Sequence, residues 1–135
     1  MVRFGILGAG RIGKVHAGTI ANSSRASVAF VADAISDAAA SLAASVGAKV
    51  AAIDEILSSD VDAILIATPT DTHADLIEQA ARAGKAILCE KPVSLSVERI
   101  EACLPVVEKA GVPVMIGFNR RFDPNFGAVQ QRIKG

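Results

Sequence analysis

Four short clusters in this 135-residue sequence combine residue types that hold phosphates, accept hydroxyl protons or stabilise a developing alkoxide. The first, Gly8-Ala9-Gly10-Arg11-Ile12-Gly13, matches the spacing G-x-G-x-x-G. Glycines so placed allow a tight turn, let the backbone approach a pyrophosphate and let a helix pack closely on a strand, with the helix N-terminus facing the phosphates. Alone the pattern is weak, because Gly- and Ala-rich chains produce it by chance. Its position strengthens it: the loop follows the apolar run at residues 2–7 and opens a helical stretch at residues 12–21. Asp33 ends the next apolar run, twenty residues after Gly13, where a carboxylate accepts hydrogen bonds from ribose hydroxyls. The plain alternative is a glycine turn followed by an unrelated capping aspartate. Strand, glycines, helix and acid must all coincide for the nucleotide reading, and here they do.

Asp33 also bears on which dinucleotide is bound. A 2′-phosphate would bring like charge against this carboxylate, and Ala34 and Ile35 follow it where a phosphate-clamping arginine often stands. NAD is therefore expected over NADP, with Arg11 the one cation near enough to keep NADP open. The other clusters are Thr68-Pro69-Thr70-Asp71-Thr72-His73, Glu90-Lys91-Pro92 and Asn119-Arg120-Arg121-Phe122-Asp123-Pro124. In the first turn of a helix, the cationic form of His73 is disfavoured by the dipole, so a neutral hydrogen-bonding ring is expected; capping and packing alone is an equal alternative. His16, inside the first helix, is expected to pack. Lys91 by itself reads as a solvated loop lysine, and Asn119, Arg120 and Arg121 either reach a ligand or are solvated. Cys89 is expected in the core and Cys103 on a helix; two cysteines make neither a disulfide framework nor a metal cluster.

Short strands alternating with helices must position these groups. Strands are expected at residues 2–7, 27–32, 49–51, 62–67, 86–89 and 112–118, and helices at 12–21, 36–46, 54–58, from Thr72 to a stop at Gly84, 96–110 and 125–134. Gly47 is placed to end the second helix. Thr72-His73-Ala74-Asp75 has a capping-box pattern. Val97, Ile100, Leu104 and Val107 share one helical face, and Pro105 predicts a kink or break near Ala102. Continuously apolar strands joined by helices imply an α/β fold, a doubly wound parallel sheet of the Rossmann type with ligands at the carboxyl ends of its strands.

Composition removes several classes. With 51% hydrophobic and 21% charged residues the chain is not disordered, and 14 basic against 14 acidic side chains give no field for nucleic acid or an anionic membrane. No apolar run approaches the ~20 residues that span a bilayer, and the start lacks a signal-peptide pattern, so a cytoplasmic protein is expected. There is no Trp or Tyr and only five Phe, so a ligand is held by backbone and small residues rather than aromatic platforms.

The glycine loop together with the Thr68–His73, Glu90-Lys91-Pro92 and Gly117-Phe118-Asn119-Arg120-Arg121-Phe122-Asp123-Pro124 segments resembles the glucose-fructose oxidoreductase/inositol dehydrogenase/rhizopine-catabolism (Gfo/Idh/MocA) family over essentially the whole chain, most of all its inositol 2-dehydrogenase branch. The resemblance implies NAD(P)-dependent oxidation of a secondary alcohol on a cyclic polyol or sugar. It makes Lys91 the catalytic residue, beside nicotinamide and the reacting hydroxyl, where an ammonium stabilises alkoxide character. Glu90 would orient it and Pro92 fix its backbone. Thr68, Pro69, Thr70 and His73 would run under the cofactor, with Asn119 and Arg121 also in reach; no metal is implied. Residues 1–120 are expected to be the dinucleotide-binding domain and 121–135 the start of the connection to a C-terminal α+β substrate domain. That domain, which in the family supplies an Asp–His pair and commonly the homo-oligomer interface, is expected to be absent, leaving a chain that binds NAD, turns over little and exposes apolar surface. A non-enzymatic dinucleotide-sensing module is the alternative from another class, which the intact Glu90-Lys91-Pro92 disfavours. A structural domain with an empty glycine loop is a third, which Asp33 disfavours.

Overall fold

The computed structural model describes residues 1–134. The chain runs β1 (Val2–Leu7), α1 (Arg11–Ala21), β2 (Ala26–Ala32), α2 (Ser36–Val46), β3 (Lys49–Val50), α3 (Ile53–Ser58), β4 (Ala63–Ile66), α4 (His73–Arg82), β5 (Ala86–Cys89), α5 (Val97–Ala110), β6 (Val114–Ile116) and α6 (Pro124–Lys134), with 3-10 turns at Thr70–Thr72 and Asn119–Phe122. All six strands pair in parallel in the order β3-β2-β1-β4-β5-β6. From β1 the chain winds outward to β3, then crosses back to β4 and winds the other way, so β1 and β4 flank the switch point where doubly wound sheets bind ligands.

Alternate strand residues feed two cores, which is why the strands read as continuous apolar runs. Leu7, Ile64, Ile66, Ile87 and Cys89 pack with Ile56 of α3, Leu76 and Ile77 of α4 and Cys103 of α5. Ile6, Val31 and Leu65 pack on the opposite face with Ala17 and Ile20 of α1 and Leu42 of α2. Every residue of β4 is buried. Each fully buried aliphatic side chain stabilises by about 1.5–3 kcal/mol, so the strand at the switch point is firmly anchored.

Gly47 and Gly84 end their helices in the left-handed region, φ 69° and 71°, as expected. Three expectations need correction. Thr72 makes no capping bond to α4; its hydroxyl is committed to the Pro69 carbonyl, 2.7 Å, and to Thr68 Oγ1, 2.7 Å, and a 3-10 turn leads into the helix instead. α5 passes through Pro105 unbroken. Pro105 and Glu101, whose carbonyl loses its donor, are both exposed, so the missing bond falls on the solvent side of the helix and costs little. The inward stripe of α5 is also rotated: Cys103 is buried, whereas Leu104 is 51% and Val97 65% exposed. Cys103 and Val107 pack into the core shared with α4 and the sheet, and half-buried Ile100 keeps helical spacing with them.

Candidate functional site

Backbone register gathers the predicted residues along one edge. Leu7 pairs with Ala32 on one side and Ile66 on the other, Ile66 with Cys89, and Cys89 with Ile116. Four further ladder bonds, Gly8 N–H to Ala32 O, Ala67 N–H to Leu7 O, Glu90 N–H to Ile66 O and Gly117 N–H to Cys89 O, carry that row one residue past the strands. Along the carboxyl edge the order is thus Asp33, the glycine loop, the Thr68 segment, Glu90-Lys91 and the Asn119 segment. From β2 to β5 the row crosses three strand spacings, roughly 14 Å.

At one end Asp33 is held by the backbone. One carboxylate oxygen accepts from Ala9 N–H at 2.6 Å and the other from Ile35 N–H at 2.8 Å, which ties the glycine loop to the end of β2. Each oxygen retains a lone pair for a further donor. Gly8 has φ +105°, and a Cβ there would lie 2.4 Å from the Ala67 carbonyl oxygen. A Cβ on Gly13 would lie 2.0 Å from Gly8 O, so α1 crosses β1 at a distance only glycine permits. Gly10 differs: a Cβ would meet nothing within 4 Å, and the fold itself makes no demand for glycine there. Gly10 caps α1 with extended backbone and no side-chain bond, leaving first-turn N–H groups to be satisfied from outside the helix. Ala9 is buried, while the Arg11 and Ile12 side chains are exposed and make no polar link to Asp33.

At the other end the residues bind one another closely. His16 Nε2 lies 2.6 Å from Glu90 Oε1, and the second Glu90 oxygen accepts from Lys91 N–H at 3.3 Å. The expectation that His16 merely packs is corrected. His16 shares a helical face with buried Gly13, Ala17 and Ile20, a spacing of three and four that carries it toward the strand ends. His73 is 2% exposed, with Nδ1 2.7 Å from the Pro92 carbonyl oxygen and Nε2 2.8 Å from the Thr68 carbonyl oxygen. Both partners are backbone carbonyls, so the ring bridges the residue after Lys91 and the Thr68 segment. Lys91 is exposed and lines a cleft of about 560 Å³ with Phe118, Asn119, Arg120 and Arg121. Arg120 turns back on its own segment, 3.7 Å from Asp123 and 4.8 Å from the Phe126 ring centre. Pro69 is exposed and Thr70 half-buried in the turn ahead of α4. Burial, then the neighbouring Glu90, pushes the Cys89 thiol up to about 12, so it stays protonated and inert as a core residue. Among the described residues no group of three His, Cys, Asp or Glu side chains is arranged for a metal, and no helix is long and apolar enough to cross a membrane.

A six-stranded parallel sheet in this order, with a glycine loop and an acid at its switch point, defines a Rossmann-type dinucleotide-binding domain. Residues 2–118 match the GFO_IDH_MocA family, described as an oxidoreductase family with NAD-binding Rossmann fold, and the chain belongs to that family. It is 56% identical over 133 residues to the inositol 2-dehydrogenase of Rhizobium meliloti (strain 1021), a match covering 98% of this chain and 40% of that protein. A crystal structure from Sinorhizobium meliloti 1021 superposes with a TM-score of 0.94 at 56% identity, over 99% of this chain and 41% of that one. The scyllo-inositol dehydrogenase of Lactobacillus casei, solved with bound NAD(H) and scyllo-inositol, gives a TM-score of 0.92 at 29% identity, again over 99% of this chain and 41% of that one. The chain spans about two fifths of the length of the relatives it matches.

Proposed function

We propose that this chain binds NAD along the carboxyl edge of its sheet and forms the cofactor-holding part of a dehydrogenase that oxidises a secondary alcohol of a cyclic polyol of the inositol type. The observation that carries the reading is the order of groups along the edge. An acceptor for ribose hydroxyls, an uncapped helix N-terminus behind an open glycine, and an exposed lysine beside a cleft follow one another as ribose, pyrophosphate and reactive ring do in a dinucleotide. The relatives' names supply the substrate class: one is an inositol 2-dehydrogenase and another a scyllo-inositol dehydrogenase.

In this reading the N–H groups at the start of α1 and the backbone of residues 8–13 hold the pyrophosphate, and the Asp33 carboxylate holds the adenosine ribose. Thr68, Pro69, Thr70 and Glu90 form the floor that runs from the glycine loop toward Lys91, the buried His73 supports that floor from beneath, and Asn119 and Arg121 border the reacting end. Bound NAD supplies the hydride acceptor. Lys91 presents its ammonium to the substrate oxygen and stabilises negative charge as the hydride leaves carbon. Its place in a cleft favours this over a purely sensing role. Residues 1–120 act as the cofactor unit, and 121–135 lead toward a second domain that completes the substrate site and the homo-oligomer.

Because Asp33 already concentrates negative charge beside the loop, NAD is preferred over NADP. Titrating the chain with NADH and with NADPH, following nicotinamide emission without any Trp background, tests this. Saturable NADH binding is expected, at least about tenfold tighter than NADPH, a difference of about 1.4 kcal/mol. Asp33→Ala is expected to weaken NADH binding. Equal or tighter binding of NADPH would contradict the role given to Asp33.

A further inference from the structure

The chain has two histidines, in different helices, and each bonds to a residue adjoining Lys91. We infer that His16 and His73 are positioning residues that fix the Lys91 backbone from its two sides. The inference rests on the cofactor reading above only for what Lys91 is positioned against.

On the N-terminal side, His16 acts through Glu90. The Glu90 carboxylate is largely shielded, 16% exposed, and needs its donors. His16 Nε2 serves one oxygen at 2.6 Å and the Lys91 N–H serves the other at 3.3 Å, so one carboxylate links the side chain of α1 to the lysine's own backbone. Packing narrows the choice of rotamer further: a Cβ on Gly117 would lie 3.1–3.2 Å from the Glu90 carboxyl atoms, which therefore rest against bare backbone. Among the described residues, the charged groups on and just beyond β1 and β2 are engaged elsewhere. Arg3 of β1 pairs with Asp60, and Asp33 beyond β2 is taken by Ala9 and Ile35. On the C-terminal side, His73 bonds directly to the Pro92 carbonyl at 2.7 Å and braces that contact against the Thr68 carbonyl at 2.8 Å. Because His16 belongs to the helix that starts at the glycine loop and His73 opens α4, Lys91 is set at a fixed place relative to both.

Backbone ¹⁵N relaxation on the 135-residue chain tests the inference. In the wild type the Lys91 amide is expected to be as rigid as the strands, with an order parameter near ~0.85. His16→Leu is expected to drop it below ~0.6, the flexible range, while the amides of α1 and the glycine loop keep their values. His16→Gln, which retains an N–H donor at the same reach, is expected to restore it. A packing role for His16 would instead loosen α1 itself and would not be rescued by glutamine. For the buried His73 the wild type suffices: ring ¹⁵N shifts are expected to show Nδ1 carrying a proton. A Lys91 amide that stays rigid in His16→Leu, or a bare Nδ1 on His73, would overturn the inference. NADH added to the same samples reports on the cofactor reading separately, through the amides of residues 8–13.

Discussion

Two glycines three residues apart in one loop, Gly10 and Gly13, make opposite predictions, because one is required by the fold and the other is not. At Gly13 a methyl group would meet the Gly8 carbonyl at 2.0 Å, and backbone cannot yield as a flexible side chain can. Gly13→Ala is expected to cost about 1–3 kcal/mol, read as a lower Tm. Gly10→Ala meets open space and is expected to keep stability within about 1 kcal/mol, while NADH binding is lost or much weakened because the methyl occupies the phosphate's path. Thermal unfolding and NADH titration of the two variants separate the roles. The glycine loop and Asp33 were legible in the sequence, since a local turn and a carboxylate at the end of the next strand repeat at a readable spacing. The bond from His16 to Glu90 was not, because its partners lie 74 residues apart and meet only through the parallel register.

Between elements, the α4–α5 contact carries a charge cluster whose sign sets a pH dependence. Arg99 of α5 bonds Glu78 at 2.6 Å and Asp75 at 2.5 Å, both on α4. The Arg99 guanidinium, helped by Arg82, holds the Glu78 carboxyl below its ordinary value. A carboxyl lowered in the folded state stabilises the protein above its unfolded pKa, about 4.3, and the contribution disappears as pH falls through the lowered folded value. The drop in Tm between pH 6 and pH 3 is therefore expected to be smaller in Glu78→Gln than in the wild type. Equal drops in the two would show that the pair contributes nothing. The sequence outlined this helix pair well and its details poorly. Periodicity located α5 but not the rotation that buries Cys103 instead of Leu104, and Pro105 suggested a break that its place on the solvent side of the helix makes unnecessary.

For the whole molecule, strand–helix alternation predicted the parallel sheet, because buried parallel strands leave an unmistakable run of apolar residues. The last segment follows different physics. α6 has no buried residue, and Phe126, Val129 and Ile133 are 51%, 56% and 79% exposed. Deleting residues 124–135 is expected to change stability by no more than about 1 kcal/mol and to reduce concentration-dependent association in sedimentation. The central claim concerns the carboxyl edge as one continuous binding row, and amide-shift mapping of the ¹⁵N-labelled chain with NAD tests it most directly. Shifts at Asp33, Gly10, Thr68 and Lys91 that saturate together at one affinity are the predicted result. Shifts confined to one end of that row, or scattered away from it, would contradict the account.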